Sequence, residues 1–224
     1  EDLMGNLKQV SGDIAHDLRT PLTRLRARLE DLDAAGAEGA DRERIEGALR
    51  EVDDLQALLA GLLALSEIEG QSVRDRFTQV DLTTAISDLA EAYGPALEAA
   101  GQTLVSDLKP SLVWGDRPLL LQALSNLLDN SLAHAGGGAC IRLSLESGSD
   151  RARLTFADDG PGVPLAARDR IFQRFVRLDP SRSAPGHGLG LATVAAIVNA
   201  HGGSIRVLPS EQGLAFAMEL PLAS

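Results

Sequence analysis

A histidine within a kinked helical stretch is the first residue of this chain that could do chemistry. In IAHDLRTPLTRLR (14–26) apolar residues recur at helical spacing, and at about 100° per residue His16 points away from them toward solvent. Thr20 shares this exposed face, and Pro21 cannot donate a backbone hydrogen bond to residue 17, which predicts a bend after the histidine. A neutral imidazole is a competent nucleophile, although an ordinary surface histidine beside a tolerated kink would give the same pattern.

Amide side chains line one face of a later predicted helix. Gln122, Asn126 and Asn130 are spaced four residues apart, so amide oxygens can converge on one cation. Oxygen ligands of this kind suit Mg²⁺, which commonly shares them with water and phosphate oxygens. Taken alone, however, the spacing favours a solvated polar stripe.

The stretch DDGPGVP (158–164) could receive a planar ligand. Asp158 ends a predicted strand, and its carboxylate can accept from an exocyclic amine. Gly160 and Gly162 allow positive φ and a close backbone approach. An ordinary glycine-proline turn is the alternative interpretation.

A second glycine-rich stretch, GHGLGLATV (186–194), opens a predicted helix. Backbone N–H groups at a helix N-terminus bind phosphate, and Gly186, Gly188 and Gly190 would let a ligand approach them. No strand precedes the stretch, so it does not match the fingerprint of dinucleotide-binding folds.

Two amphipathic helices are predicted to position the histidine. Apolar residues spaced three and four apart run from Leu3 to Leu32 and again from Ile45 to Ile68, on either side of the glycine-containing break AAGAEGAD (34–41). Each helix has a single leucine seam, so two hairpins pairing as a dimeric four-helix bundle would bury both seams. Packing of the hairpin on the rest of its own chain is the alternative.

The remainder of the chain predicts an α+β sandwich. Periodicity lapses in QSVRDRFTQV (71–80), which gives a helical domain over 1–75, a linker over 76–80 and a second domain over 81–224. Asp81 and Asp116 are the predicted caps of two of its helices. The predicted helices span 81–100, 117–135 and 189–201, and the predicted strands span 103–107, 111–115, 140–146, 153–158, 204–209 and 214–220. The last four strands read as hairpins of an antiparallel or mixed sheet, with the helices on one face.

Composition excludes several classes of partner. A net charge of −11 and 3% aromatic residues argue against adhesion to nucleic acid or anionic lipid. The single cysteine, Cys140, excludes an internal disulfide framework. The chain starts inside a helical pattern and without Met, so we expect a fragment whose N-terminal continuation could carry membrane helices. His201 ends a predicted helix, where the helix dipole would favour a cation.

In this order the motifs resemble the catalytic core of bacterial sensor histidine kinases, across nearly the whole chain. The motifs that carry the resemblance are HDLRTP (phosphoacceptor box), NLLDN (126–130, asparagine box), DDGPGVP and GHGLGL (glycine boxes) and IFQRF (171–175, phenylalanine box). The resemblance implies a dimerisation and histidine-phosphotransfer hairpin followed by a Bergerat-type ATP-binding domain. It also implies autophosphorylation by ATP and transfer to an aspartate on the receiver domain of a response regulator.

By this resemblance His16 would attack the γ-phosphate of ATP. Asp17 would accept a hydrogen bond from the other ring nitrogen, and Thr20 would position water for the reverse reaction, hydrolysis of the partner's phosphoaspartate. The implied protein is a homodimer, with this chain as its cytoplasmic part. The full-length protein is expected in the bacterial inner membrane.

The resemblance also assigns the ATP site. Asn126 and Asn130 would hold Mg²⁺ on the triphosphate, and Asp158 would accept from the adenine amine. The remaining implied ATP-binding residues are Gly160 and Gly162 against the base, and Gly186, Gly188, Leu189 and Gly190 in the lid hinge and phosphate loop. Arg174 and Arg177 are implied phosphate or interdomain contacts, or else ordinary surface arginines.

Two departures leave a second function open. The family commonly has a basic residue three positions after the second asparagine, where this chain has Ala133, and the lid RLDPSRSAPGHG (177–188) is short. A kinase-weak dimeric scaffold or phosphatase-dominant regulator that still binds nucleotide is therefore the alternative. Other Bergerat-type ATPases, such as topoisomerase or mismatch-repair relatives, are disfavoured because they lack a preceding histidine hairpin.

Overall fold

The chain divides into two compact units, Glu1–Glu67 and Ile68–Ser224. The computed structural model describes residues 22–30, 32, 40–68, 71–176, 188–210 and 212–223. Within these residues no helix is long and apolar enough to cross a membrane.

The first unit is helical where it is described. Helix α1 is described over residues 22–30 and at residue 32, and α2 spans Ala40–Ile68. The guanidinium of Arg26 contacts both Glu30 on its own helix and Asp53 on α2, each at 2.8 Å. This ion pair joins the two helices, as a helical hairpin requires. On α2, Val52, Leu59 and Leu65 are buried.

The second unit is built on a five-stranded mixed sheet. The strands of the second unit are β1 (Thr78–Asp81), β2 (Thr103–Leu108), β3 (Leu112–Gly115), β4 (Cys140–Ser147), β5 (Arg151–Asp158), β6 (Ser204–Val207) and β7 (Leu214–Pro221), of which β1 and β3 form a separate two-stranded sheet. Its helices are α3 (Leu82–Ala99), α4 (Arg117–His134) and α5 (Gly190–Ala200), with short 3₁₀ helices at Gln71–Arg76 and Leu165–Ala167. The sheet order is β2-β4-β5-β7-β6, with β2 parallel to β4 and the other pairs antiparallel.

Helices and sheet share one hydrophobic core. Buried and exposed side chains alternate along β4, as the two faces of a strand require, and Ile141, Leu143 and Leu145 point inward. They join leucine and isoleucine side chains of all three helices and the aromatic rings of Phe156 and Phe216. The predicted α+β sandwich is confirmed.

Two aspartates cap the N-termini of α3 and α4. Asp81 accepts from the backbone N–H groups of Thr83 and Thr84 at 2.9 and 3.3 Å. Asp116 accepts from the backbone N–H of Leu119 at 3.1 Å. Each satisfies N–H groups that a helix cannot bond internally, so both predicted caps are confirmed.

Residues 76–80, which the sequence predicts to be a linker, contain most of strand β1. Residues 76–80 were expected to connect two domains, but β1 pairs antiparallel with β3 in a separate two-stranded sheet. Val80 is buried in the core of the second unit, and Arg76 contacts the buried carboxylate of Asp116 at 3.0 Å. These contacts make the residues from Ile68 onward part of the second unit.

His201, which follows the last residue of α5, does not have the cationic role expected from its position. Its side chain is buried and stacks on Phe77 with ring centroids 4.5 Å apart. The backbone N–H of Asp116 donates to Nε2 at 3.0 Å, so Nδ1 carries the proton and donates to the Ile197 carbonyl oxygen at 2.7 Å. Burial lowers the pKa of His201, although the Ile197 hydrogen bond and the Asp116 charge act in the opposite direction. The ring is therefore neutral at neutral pH.

This neutral imidazole makes stability depend on pH. The unfolded chain binds a proton on His201 near its ordinary pKa of about 6.5, whereas the folded chain binds it only at lower pH. The contribution of neutral His201 to the free energy of unfolding is complete above about pH 6.5. As pH falls below this value the contribution is lost, by at most about 1.4 kcal/mol per pH unit. Denaturant unfolding at about pH 7.5 and about pH 5.5 measures this loss.

The matched variant is His201→Gln. Glutamine can accept from one neighbour and donate to another but does not titrate, so we expect lower stability at both pH values and a smaller difference between them. Equal pH dependence in wild type and His201→Gln would contradict the assignment of this loss to His201.

Candidate functional site

The predicted site residues fall into two groups. His16, Asp17, Thr20, Arg177 and Gly186 lie outside the described residues. The others lie in the second unit: Asn126, Asn130, Asp158, Gly160, Gly162, Arg174, Gly188, Leu189 and Gly190.

The buried leucines of α4 determine which way its asparagines face. Leu124, Leu127 and Leu128 are anchored in the core, which leaves Asn126 and Asn130 half-buried on another side of the helix. Among the described residues neither asparagine side chain has a hydrogen-bond partner. Both amide oxygens therefore remain available as ligands for a cation.

The N-terminus of α5 meets this asparagine face. A Cβ built on Gly190, the first residue of α5, would lie 3.9 Å from Oδ1 of Asn126. Leu189 is buried just before it, and its carbonyl oxygen accepts from the backbone N–H of Thr193 at 2.8 Å. Free N–H groups of the first helical turn and the positive end of the helix dipole favour an anion at such a position.

Asp158 lies at the end of β5 and is buried. Its Oδ1 accepts from the backbone N–H groups of Gly160 at 3.0 Å and Leu214 at 3.4 Å. Its Oδ2 accepts from the hydroxyl of Ser131 on α4 at 3.3 Å. These hydrogen bonds compensate for burial of a carboxylate and hold it in one orientation.

The glycines beside Asp158 are required by close backbone packing. Gly162 has φ 70°, and a Cβ there would lie 2.5 Å from the carbonyl oxygen of Gly213. Gly213 has φ 73°, and a Cβ there would overlap the carbonyl oxygen of Asp158. A Cβ on Gly160 would lie 2.6 Å from Cα of Ala135, just after α4. The loop that contains Gly160 and Gly162 is thus held between the end of α4 and the turn before β7.

The two sides of the predicted lid are joined at its base. Phe175 donates its backbone N–H to the carbonyl oxygen of Gly188 at 2.9 Å. Both residues have positive φ, 63° for Phe175 and 70° for Gly188, and this conformation is unusual for a phenylalanine. Arg174 is exposed beside them.

Sequence reasoning missed two residues of this site. Ser131 could have been noticed as a polar residue in the apolar face of α4, four residues after Leu127. Gly213 gave a weaker signal, a lone glycine before the last strand. Both matter because they contact Asp158, and that contact depends on the tertiary fold.

Comparison with known proteins agrees with this geometry. Residues 6–71 match the family described as the His Kinase A (phospho-acceptor) domain. Residues 115–224 match the family of histidine kinase-, DNA gyrase B-, and HSP90-like ATPases. Sensor protein RstB of Escherichia coli (strain K12) is 37% identical over 98% of this chain and 50% of its own length. The chain spans about half the length of the curated relatives it matches.

Two solved structures extend the likeness. The structure of full-length ShkA in complex with AMPPNP aligns with a TM-score of 0.79 at 25% identity, covering 96% of this chain and 46% of that one. The mycobacterial sensor histidine kinase MprB aligns with a TM-score of 0.60 at 33% identity, covering 65% of this chain and 98% of that one. The chain belongs to the sensor histidine kinase family.

Proposed function

We propose that this chain is the catalytic core of a two-component sensor histidine kinase, which phosphorylates His16 from ATP and passes the phosphoryl group to an aspartate of a response regulator. The observation that carries the proposal is the meeting of Gly190, at the N-terminus of α5, with the side-chain oxygen of Asn126. A helix N-terminus suits phosphate and amide oxygens suit Mg²⁺, so together they suit a metal-bound triphosphate.

The base of ATP would bind near the C-terminal end of α4, at Asp158. Among the residues that the structure describes, no donor uses the last acceptor position of the Asp158 carboxylate, and this position suits the exocyclic amine of adenine. Gly160 and Gly162 would lie beside the base, where their close packing on Ala135 and Gly213 holds the backbone in place. The position of Asp158 at the end of β5 supports this orientation of the nucleotide.

The triphosphate would lie between Asn126, Asn130 and the N-terminus of α5. When bound there, Mg²⁺ supplies charge neutralisation on the phosphate oxygens. Gly186, Gly188, Leu189 and Gly190 would provide backbone N–H groups and room for the phosphates. Arg174 and Arg177 are the cations that we assign to phosphate or to contact with the phosphoacceptor.

Phosphoryl transfer would take place at the histidine of the first unit. The imidazole lone pair of His16 forms a bond to the γ-phosphorus as the bond to the bridging oxygen breaks and ADP leaves. Asp17 accepts a hydrogen bond from the other ring nitrogen and stabilises the charge that develops on the ring. Thr20 positions water for hydrolysis of the phosphorylated response regulator.

We also propose a homodimer formed through the helical unit. Leu25, Leu32 and Leu55 are 46%, 56% and 49% exposed in the single chain, although they belong to the leucine seams. Burying such side chains is worth about 1.5 kcal/mol or more each, which supports a second hairpin as their partner. The full-length protein would bring this dimer to the inner membrane as its cytoplasmic part.

Labelling with ATP that carries a radioactive γ-phosphate tests the proposal. Incubation with Mg²⁺ should give wild-type protein an acid-labile, alkali-stable label, and His16→Ala should have none. Mixing His16→Ala with Asn130→Ala subunits should restore label if one subunit phosphorylates its mate. Absence of both label and nucleotide binding in folded wild-type protein would refute the proposed function.

A kinase-weak regulator remains the second candidate because of position 133. Ala133 is exposed on α4, so packing does not exclude a basic side chain there. If wild-type protein binds nucleotide but takes no label, Ala133→Lys should produce label. That result would favour the kinase-weak candidate over an active kinase.

A further inference from the structure

Ser131 is a buried hydroxyl at a position where α4 otherwise buries hydrocarbon. It is 1% exposed, and the other buried residues of the helix are four leucines and one alanine. Its hydroxyl donates to Oδ2 of Asp158 at 3.3 Å. A buried hydroxyl without a partner is costly, so this hydrogen bond accounts for a serine at this position.

The donors around Asp158 define how much of its carboxylate is left for a ligand. A carboxylate has roughly four acceptor positions, two on each oxygen. Backbone N–H groups of Gly160 and Leu214 use both positions on Oδ1, and Ser131 uses one on Oδ2. Rotation of the carboxylate would break the Ser131 bond, so Ser131 fixes the direction in which the last position on Oδ2 points.

The backbone of Ser131 is itself held in place. Its carbonyl oxygen accepts from the backbone N–H of Ala135 at 2.8 Å and from Nε2 of Gln102 at 3.2 Å. The same Gln102 nitrogen donates to the carbonyl oxygen of Gly136 at 3.1 Å. Gln102 thus joins the last turn of α4 to the loop that follows it. These hydrogen bonds hold the backbone that carries the Ser131 hydroxyl in one position.

We propose that Ser131 is a positioning residue for base recognition: it orients the Asp158 carboxylate so that the free position on Oδ2 accepts the exocyclic amine of adenine. Preference for adenine over a purine without that amine therefore depends on Ser131. The inference rests on the proposed function, because it assumes that ATP binds with its base at Asp158.

The test compares two ligands and three proteins. Binding of ATP and of purine riboside 5′-triphosphate, which lacks only the exocyclic amine, is measured by calorimetry on wild type, Ser131→Ala and Ser111→Ala. Ser111 is the matched control, because it is also a buried serine with hydrogen-bonded neighbours, Ser147 and Lys109, which are not part of the site. Thermal unfolding verifies that each variant is folded.

In Ser131→Ala we expect Kd for ATP to rise roughly 10-fold, because a hydrogen bond to a charged group is lost and the carboxylate is freed. Kd for the ligand without the amine should change by less than about 2-fold, and the KM for ATP in phosphorylation should rise with kcat nearly unchanged. Ser111→Ala should leave the ratio of the two Kd values as in wild type.

Three outcomes would overturn the proposal. An equal loss of affinity for both ligands in Ser131→Ala would mean that the serine acts only on the structure of the site. No change for either ligand would mean that Asp158 is held without it. If wild-type protein binds both ligands equally, Asp158 does not recognise the amine. If wild-type protein binds neither ligand, the result contradicts the proposed function itself rather than the role of Ser131.

Discussion

Gly213→Ala is expected to destabilise the second unit by about 3 kcal/mol or more, and to weaken nucleotide binding with it. Two costs add at this position. The backbone has φ 73°, a conformation that costs an L-residue about 1 kcal/mol or more, and the new Cβ would overlap the carbonyl oxygen of Asp158. Because that oxygen belongs to backbone, only movement of Asp158 or of the turn can relieve the overlap.

Gly136→Ala is the matched control. Gly136 has φ 86°, but a Cβ there would meet nothing within 4 Å, so this variant measures the conformational cost alone. We expect about 1 kcal/mol for Gly136→Ala by denaturant unfolding, and ADP affinity close to that of wild type. If the two variants lost equal stability, the close contact between the turn and Asp158 would not exist in solution.

Asn130→Ala is expected to slow phosphorylation of His16 by roughly 100-fold or more, about 2.7 kcal/mol of transition-state stabilisation. The side chain is half-buried on the same side of α4 as Asn126. Alanine removes one of the two amide oxygens proposed to hold Mg²⁺. Helical structure should be unaffected, since alanine is a strong helix former. The measurement is the initial rate of label incorporation as Mg²⁺ concentration is varied.

Two further variants make this result specific. Gln122→Ala removes an exposed amide two turns earlier on the same face and should change the rate by less than about 3-fold. Asn130→Asp keeps an oxygen ligand and should retain more activity than Asn130→Ala. ADP binding without Mg²⁺ should be similar in all of them, and a rate for Asn130→Ala within about 3-fold of wild type would remove this residue from the metal site.

Sequence patterns predicted those elements whose signals are local. Buried side chains alternate with exposed or half-buried ones along β4 and β5. Their predicted ranges, 140–146 and 153–158, lie close to the observed Cys140–Ser147 and Arg151–Asp158. β1 was missed because it has four residues and buries only Val80, which is too short a segment to show the two-residue alternation of a strand. The parallel pairing of β2 with β4 was not predictable, because the sequence of a strand does not determine which other strand it pairs with.

The same distinction applies to the candidate site. Residue type and position made Asn126, Asn130 and Asp158 candidates, and the resemblance of the ordered motifs to sensor histidine kinases assigned them to the metal and to adenine. The neutral state of His201 depends on burial of the ring, and one of the residues that cover it is Phe77, 124 positions earlier, which stacks on it. The expected cation followed from the helix end alone and was wrong, because burial lowers the pKa there.

A single helix sets the spacing between the two ends of the site. α4 points Asn126 toward the start of α5 and the Ser131 hydroxyl toward Asp158, and each residue turns a helix by about 100°. One residue inserted between Asn126 and Ser131 would therefore swing one end of the proposed nucleotide site away from the other, even if every side chain were kept. The turn after α4, with exposed Gly136 and Gly138, could lengthen without that effect. The number of residues between Asn126 and Ser131 therefore matters to the proposed site as much as the identity of either residue.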